Sequence, residues 1–303
     1  MKARIGIVGT GWVGSSAAIS ILHAGIAGEL LLADRRSEIA EGEAMDLAHG
    51  ASFYPSARVR AAAVEEMRDC DAVVIAAGRG GRADETRLEL LRDNAATARS
   101  IGQALRGHRG LVVVVTNPVD VLTHVVRESA GLPPERVIGT GTMLDTARLR
   151  AVVAQQLALD PRSIHAQVVG EHGDSEVVLW SGAQAGGRAL RDWPAWHSEL
   201  EARLGEQVRR AAYEIIRRKG ATNHAIGLVT AALLRWMLGG ERRIVTVSRV
   251  QAGVLGLSEV ALSLPAVVGA GGATEVIVPA MDEAEHAGLL RSAGVIREAI
   301  ASV

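Results

Sequence analysis

Apolar residues in the first half of the chain fall into short unbroken runs, and between the runs they recur at helical spacing. Residues 4–8, 29–34, 72–77 and 111–116 are rich in Val, Ile and Leu with little polar alternation, as in strands covered on both faces of a parallel sheet. Gly14 to Leu22 and Glu85 to Leu105 carry the helical period instead, the second with Leu88, Leu91, Ala95, Ala98, Ile101 and Leu105 along one face. Strands alternating with helices predict an α/β fold built on a doubly wound parallel sheet.

After about residue 140 the pattern changes. A long helix is predicted over Glu199 to Arg218, with Leu200, Leu204, Val208, Ala211 and Ile215 on one side, and strands near 164–169, 243–248 and 275–278. This predicts two domains, a doubly wound one over 1–140 and a second, α+β one over 141–303. No Ser/Pro linker separates them, so they should pack closely with the site at their junction.

Composition narrows the function classes. The 33 basic and 34 acidic side chains are spread along the chain, so no basic face for nucleic acid stands out. No run of about 20 uncharged apolar residues offers a membrane span. A strand pattern and a Gly-rich turn follow Met1 almost at once, where a targeting segment would have to lie, and Cys70 is the single cysteine. Both features predict a cytoplasmic protein without disulfides or a cysteine-based metal site.

Gly9-Thr10-Gly11-Trp12-Val13-Gly14 follows the first strand and opens the first helix, where its glycines allow a tight turn and close approach to a pyrophosphate at the helix N-terminus. The second strand ends in Asp34, placed to accept hydrogen bonds from both ribose hydroxyls and to repel a 2′-phosphate. Together they predict a Rossmann-type site for NAD rather than NADP, although Arg35 and Arg36 beside Asp34 leave that choice open. Gly78 and Asn117 lie beyond the ends of later strands, where such sheets bind ligands. Asn117 precedes a proline, so it either contacts the ligand or simply forms a turn.

His172 sits in the polar stretch Gly170-Glu171-His172-Gly173-Asp174-Ser175-Glu176, after a predicted strand. An imidazole presented there can give a proton to a carbonyl and take it back, with a carboxylate fixing its tautomer. Asp145 is the candidate partner. Arg148, one helical turn on, can grip a substrate carboxylate through two parallel hydrogen bonds or form a plain surface pair with Asp145.

These two stretches, with the Gly9 to Gly14 turn, Asp46-Leu47-Ala48-His49, Glu85-Thr86-Arg87-Leu88 and Thr116-Asn117-Pro118-Val119-Asp120, stand in an order that resembles the L-lactate/malate dehydrogenase family across nearly the whole chain. The resemblance, nearest to the bacterial lactate enzymes, implies an NAD-dependent L-2-hydroxy acid dehydrogenase. It implies that His172, oriented by Asp145, donates the proton, that Arg148 binds the carboxylate, and that Arg87 on a mobile loop polarises the ketone. It further makes Asn117 a substrate contact.

In that family the position six residues before the lid arginine carries Gln for lactate or Arg for malate; here it is Gly81. Ser175-Glu176 and Thr222 resemble the lactate enzymes, so pyruvate and L-lactate are the expected pair in fermentative glycolysis. Arg79 and Arg82 beside Gly81 keep malate open, and the missing side chain keeps bulkier 2-oxo acids open. Arg150 and His165 match positions that bind fructose 1,6-bisphosphate between subunits of bacterial lactate dehydrogenases, implying allosteric activation, and the family implies a homotetramer or a dimer. Two rival classes remain: NAD- and metal-dependent glycosidases, which require a metal-ligand Cys/His pair, and a non-catalytic NAD sensor, which would need none of His172, Asp145, Arg148 and Arg87.

Overall fold

The structure is a computed structural model that describes residues 2–80, 86–194 and 196–303, and of Arg87 the backbone alone. In the first half, strands β1 (Ala3–Val8), β2 (Ala27–Ala33), β3 (Arg58–Ala61), β4 (Ala72–Ile75), β5 (Leu111–Val114) and β6 (Val137–Gly139) alternate with helices. The helices are α1 (Trp12–Ala24), α2 (Ser37–His49), α3 (Arg87–Ala104) and α4 (Val119–Ala130). The second half supplies α5 (Met143–Leu157), α6 (Ser198–Lys219), α7 (His224–Leu238) and α8 (Glu283–Ala301). Its strands are β7 (Ile164–His165), β8 (Val168–Val169), β9 (Val177–Val178), β10 (Gln184–Ala185), β11 (Arg188–Ala189), β12 (Arg243–Ala252), β13 (Ser258–Gly269) and β14 (Gly272–Val276).

Six parallel strands run in the order β3-β2-β1-β4-β5-β6, and the order reverses between β1 and β4. That crevice, beyond the strand carboxyl ends, is where open α/β sheets bind ligands. Alternate residues of each strand enter opposite cores. Val8, Leu31, Val73, Ile75, Val112 and Val114 face α3, α4 and α8, whereas Ile5, Ile7, Leu30, Leu32, Val74 and Val113 face α1, α2 and α7. Burial on both faces explains the unbroken apolar runs. A third core, including Leu149, Val153, Trp196, Leu200 and Leu204, joins α5 to α6.

Three expectations are corrected. The predicted strands near 243–248 and 275–278 do not form a sheet of their own; β12, β13 and β14 extend the first-half sheet in antiparallel fashion, β12 joining β6 through Ser248 opposite Gly139. The single strand over 164–169 divides into β7 and β8, which pair with different partners. The Thr146 hydroxyl of α5 accepts the Val168 N–H (3.0 Å) and the Thr142 hydroxyl, at the N-cap of α5, donates to the Val168 carbonyl (2.6 Å), bonds a neighbouring strand would otherwise make. On α3, Leu91, Ala95, Ala98, Ile101 and Leu105 are buried as expected, but Leu88 is exposed, one turn ahead of where the helix meets the core.

Candidate active site

The cofactor cradle is built from backbone constraints. Gly9 has φ +96°, and a Cβ there would lie 2.4 Å from the Ala77 nitrogen. A Cβ on Gly14 would lie 1.8 Å from the Gly9 carbonyl oxygen, so the start of α1 closes on the turn only without a side chain. Gly11, at the N-cap of α1, has open space around it and the first turn carries no acid, which suits an anion at the helix N-terminus. Val13 lies partly buried behind it and Trp12 is 62% exposed.

Asp34 lies just past β2 and accepts the Thr10 N–H (3.0 Å), the Thr10 hydroxyl (3.2 Å) and the Arg36 N–H (3.1 Å). Burial opposes ionisation of Asp34, but these hydrogen bonds and the Arg36 charge outweigh it and hold the carboxyl below its usual range. Across the crevice, Gly78 is exposed, and a Cβ on it would sit 2.3 Å from Thr116 Cγ2. A cradle closed to any Cβ and an ionised acid after the second strand fit a dinucleotide with a free ribose diol.

Asp145, Arg148 and His172 meet from the second half. Asp145 and Arg148 lie three residues apart in the first two turns of α5, and Arg148 Nη1 donates to Asp145 Oδ1 at 2.7 Å. His172 Nδ1–H donates to Asp145 Oδ2 at 2.5 Å. The loop bearing His172 is pinned at successive residues. Gly170, with φ +86°, exchanges two 2.9 Å bonds with Ser263, Glu171 N–H donates to Ser292 Oγ (2.7 Å), and His172 N–H donates to Asp120 Oδ2 (2.8 Å). The Asp120 contact joins α4 of the first half to the second-half histidine.

Electrostatics sort the buried acids. Burial alone would raise the Asp145 carboxyl; the charge and hydrogen bond of His172, then those of Arg148, hold it low. Burial disfavours the His172 imidazolium, yet Asp145 and then Asp120 push its pKa up to about 9. Glu176 has a buried Oε1 without a partner, and burial followed by the Asp145 charge raises its pKa to about 8.

The other predicted residues are more scattered. Asn117 is exposed at the start of α4, its carbonyl held by Asn94 Nδ2 (3.1 Å). Thr222 is half-buried between α6 and α7. Arg150 Nε donates to the Ala166 carbonyl (3.1 Å), beside exposed His165. Arg79 pairs with Asp93 on α3 (2.7 Å) rather than standing free. Gly81 and the Arg87 side chain lie outside the described residues, as do Arg82 and Glu85. Cys70 is buried and its thiol pushed up to about 11, as for a structural cysteine.

Sequence reasoning missed three groups. Asn94, buried in the apolar stripe of α3, accepts the Arg79 N–H (3.0 Å) and ties that loop to Asn117; an Asn among Leu91, Ala95 and Ala98 was its signal. Asp120 and Glu176 were visible inside quoted motifs, but their burial was not.

A doubly wound sheet with a Gly-rich dinucleotide cradle, facing a His–Asp–Arg set gathered on a buried carboxylate, defines a class of nicotinamide-dependent oxidoreductases. The model of the lactate/malate dehydrogenase NAD-binding domain matches residues 3–139, and that of the lactate/malate dehydrogenase alpha/beta C-terminal domain matches residues 142–303. The chain belongs to the lactate/malate dehydrogenase family and is an NAD-dependent oxidoreductase. It is 42% identical to an L-lactate dehydrogenase of Salinibacter ruber, over 100% of this chain and 98% of that one. To an L-lactate dehydrogenase of Thermus aquaticus it is 43% identical, over 99% of each. The minor L-lactate dehydrogenase of Enterococcus mundtii superimposes with a TM-score of 0.97 at 36% identity, over 100% of this chain and 98% of that one.

Proposed function

We propose that the chain reduces pyruvate to L-lactate with NADH, and that the bond from His172 Nδ1 to a doubly engaged Asp145 carries the reaction. Asp145 fixes the tautomer and leaves His172 Nε2 to face the ketone oxygen; with a pKa of about 9 the imidazole holds its proton at neutral pH. Arg148 spends one N–H on Asp145 and keeps the rest of its fork for the substrate carboxylate. Arg87, at the start of α3, polarises the ketone, and Asn117 contacts the same oxygen.

Gly9, Gly11, Trp12, Val13, Gly14, Asp34, Gly78 and Asn117 would hold NADH, which would supply the hydride for the carbonyl carbon. As the carbonyl π electrons move to oxygen, His172 releases its proton there and is left neutral. The NAD-holding part spans 1–140 and the catalytic part 141–303.

Gly81 offers neither amide nor guanidinium to the substrate side chain, so the discrimination among pyruvate, oxaloacetate and bulkier 2-oxo acids rests on charge and space nearby. Measured kcat/KM for pyruvate, oxaloacetate and phenylpyruvate tests this; a clear preference for oxaloacetate sinks the lactate reading. Full turnover in His172→Asn sinks the proton-transfer role.

The apolar surface formed by exposed Leu228 and Ile244 beside Trp236 supports assembly with further copies, to a homotetramer, and sizing in solution tests it. Arg150 beside His165 supports fructose 1,6-bisphosphate as effector; kinetics unchanged by that sugar remove the idea. No helix among the described residues is long and apolar enough to cross a membrane, and the free buried Cys70 supports a reducing compartment such as the cytoplasm.

A further inference from the structure

Asp120 is the second residue of α4 and is only 2% exposed. Oδ2 accepts the His172 N–H at 2.8 Å, whereas Oδ1 is buried and makes no hydrogen bond. A buried carboxylate is costly, and both oxygens are normally satisfied. Stitching one main-chain N–H needs only a carbonyl oxygen, which Asn provides without a charge. The negative charge therefore needs its own account, and the cation it acts on is the His172 imidazolium.

The other charged groups around that imidazole are Asp145 and Arg148 from α5, Glu171 and Glu176 from its own loop, and Arg209 of α6 behind Glu176. Asp145 answers Arg148 and the ring Nδ1 at once. Asp120 is the acid that approaches from the first half, on the main-chain side of the histidine.

We propose that Asp120 is a positioning residue of the reaction: Oδ2 fixes the main chain of His172, and the carboxylate charge keeps the proton on the imidazole until a 2-oxo acid is in place. This rests on His172 as proton donor. In the reducing direction the proton passes from His172 Nε2 to the ketone oxygen as the hydride arrives at carbon. A neutral imidazole is then left between two carboxylates, which favour its recharging from water for the next turnover. Burial lifts the Asp120 carboxyl to about 6 against the pull of the His172 N–H and of the imidazolium charge, so near neutrality it is mostly ionised and able to act this way.

Asp120→Asn separates the two roles, because it keeps an acceptor for the His172 N–H and removes the charge. The pH profile of kcat/KM for pyruvate reduction reads the imidazole of the enzyme–NADH complex through its alkaline limb. The limb is expected to move down by about one pH unit in Asp120→Asn, with the KM for NADH unchanged. Asp120→Ala, which lacks the acceptor too, is expected to lose about a further tenfold in kcat even on the acid side. Thermal melting confirms that each variant is folded, and Asp120→Ser, also uncharged, gives a second reading if Asp120→Asn is not.

An unmoved limb in a folded uncharged variant overturns the charge role; equal kcat in Asp120→Asn and Asp120→Ala on the acid side overturns the positioning role. An active His172→Asn would instead sink the proton-donor reading itself.

Discussion

Asp145→Asn tests the centre of the site most directly. Asp145 uses each oxygen for a different cation, Oδ1 for Arg148 and Oδ2 for His172. Asn has a single acceptor oxygen and turns a donor toward one of them. The raised His172 value, from 6.5 to about 9, corresponds to about 3 kcal/mol in favour of the imidazolium, and Asp145 provides most of it against a burial term that opposes the charge. With the carboxylate gone, burial prevails and the imidazole pKa should fall below 6.5. Near pH 8 a small fraction of the variant keeps its proton, and misorientation of the ring adds to the loss, so kcat/KM for pyruvate should drop by about two to three orders of magnitude. The drop should shrink toward acid pH, and lactate oxidation, which needs neutral imidazole, should suffer less on the alkaline side. NADH absorbance across the pH range in both directions measures all of this. A loss of equal size at every pH and in both directions would refute the electrostatic account and leave only a structural one.

Gly14→Ala brings a Cβ against the Gly9 carbonyl, and an overpacking cost of about 1–3 kcal/mol should weaken NADH binding by about five- to 140-fold, read by fluorescence titration. Wild-type affinity in that variant would mean the turn relaxes freely. Glu176→Gln should stabilise the protein at alkaline pH. The folded-state value of about 8 lies above the ordinary 4.5, so wild-type stability declines as pH rises from about 4.5 to 8, whereas Gln has no such decline. Melting temperatures taken at mildly acid and at alkaline pH should diverge; a constant difference counts against a buried protonated Glu176.

What could be read from the sequence was what local geometry demands. The Gly9 to Gly14 turn is legible because a left-handed φ and two backbone approaches exclude side chains there, and Asp145 and Arg148 are legible because three residues on a helix share a face. Joining them to His172, across a loop and two short strands, rested on chemistry alone, an imidazole in want of a carboxylate, until the family pattern supported it. The apolar run over 243–248 predicted a strand but not its neighbours, and β13 beside it was not predicted at all, since register between β12 and β13 is a tertiary choice and a single residue pair carries the sheet from β6 to β12. Asp120 and Glu176 escaped for the same reason. An acid in a helix's first turn or a polar loop is most often solvated, and only the fold puts α4 under His172 and leaves Glu176 Oε1 without a partner.

These buried acids also bear on the substrate. Asp145 and Glu176 share one site but differ in state, because Asp145 has a cation on each oxygen while Oε1 of Glu176 has no partner. On the proposed reading, a monocarboxylate adds a single negative charge, held by the N–H groups Arg148 does not spend on Asp145, and raises Glu176 further, keeping it neutral. A dicarboxylate would bring a second negative charge close to Asp120, Asp145 and Glu176, and an unmatched buried charge is strongly unfavourable. Gly81 cannot supply the missing cation, and Arg79, two residues before it, is already held by Asp93. If Gly81→Arg shifts preference from pyruvate toward oxaloacetate, charge balance sets the specificity. If that change leaves the ratio of kcat/KM values untouched, the space left by the glycine matters more than its lack of charge.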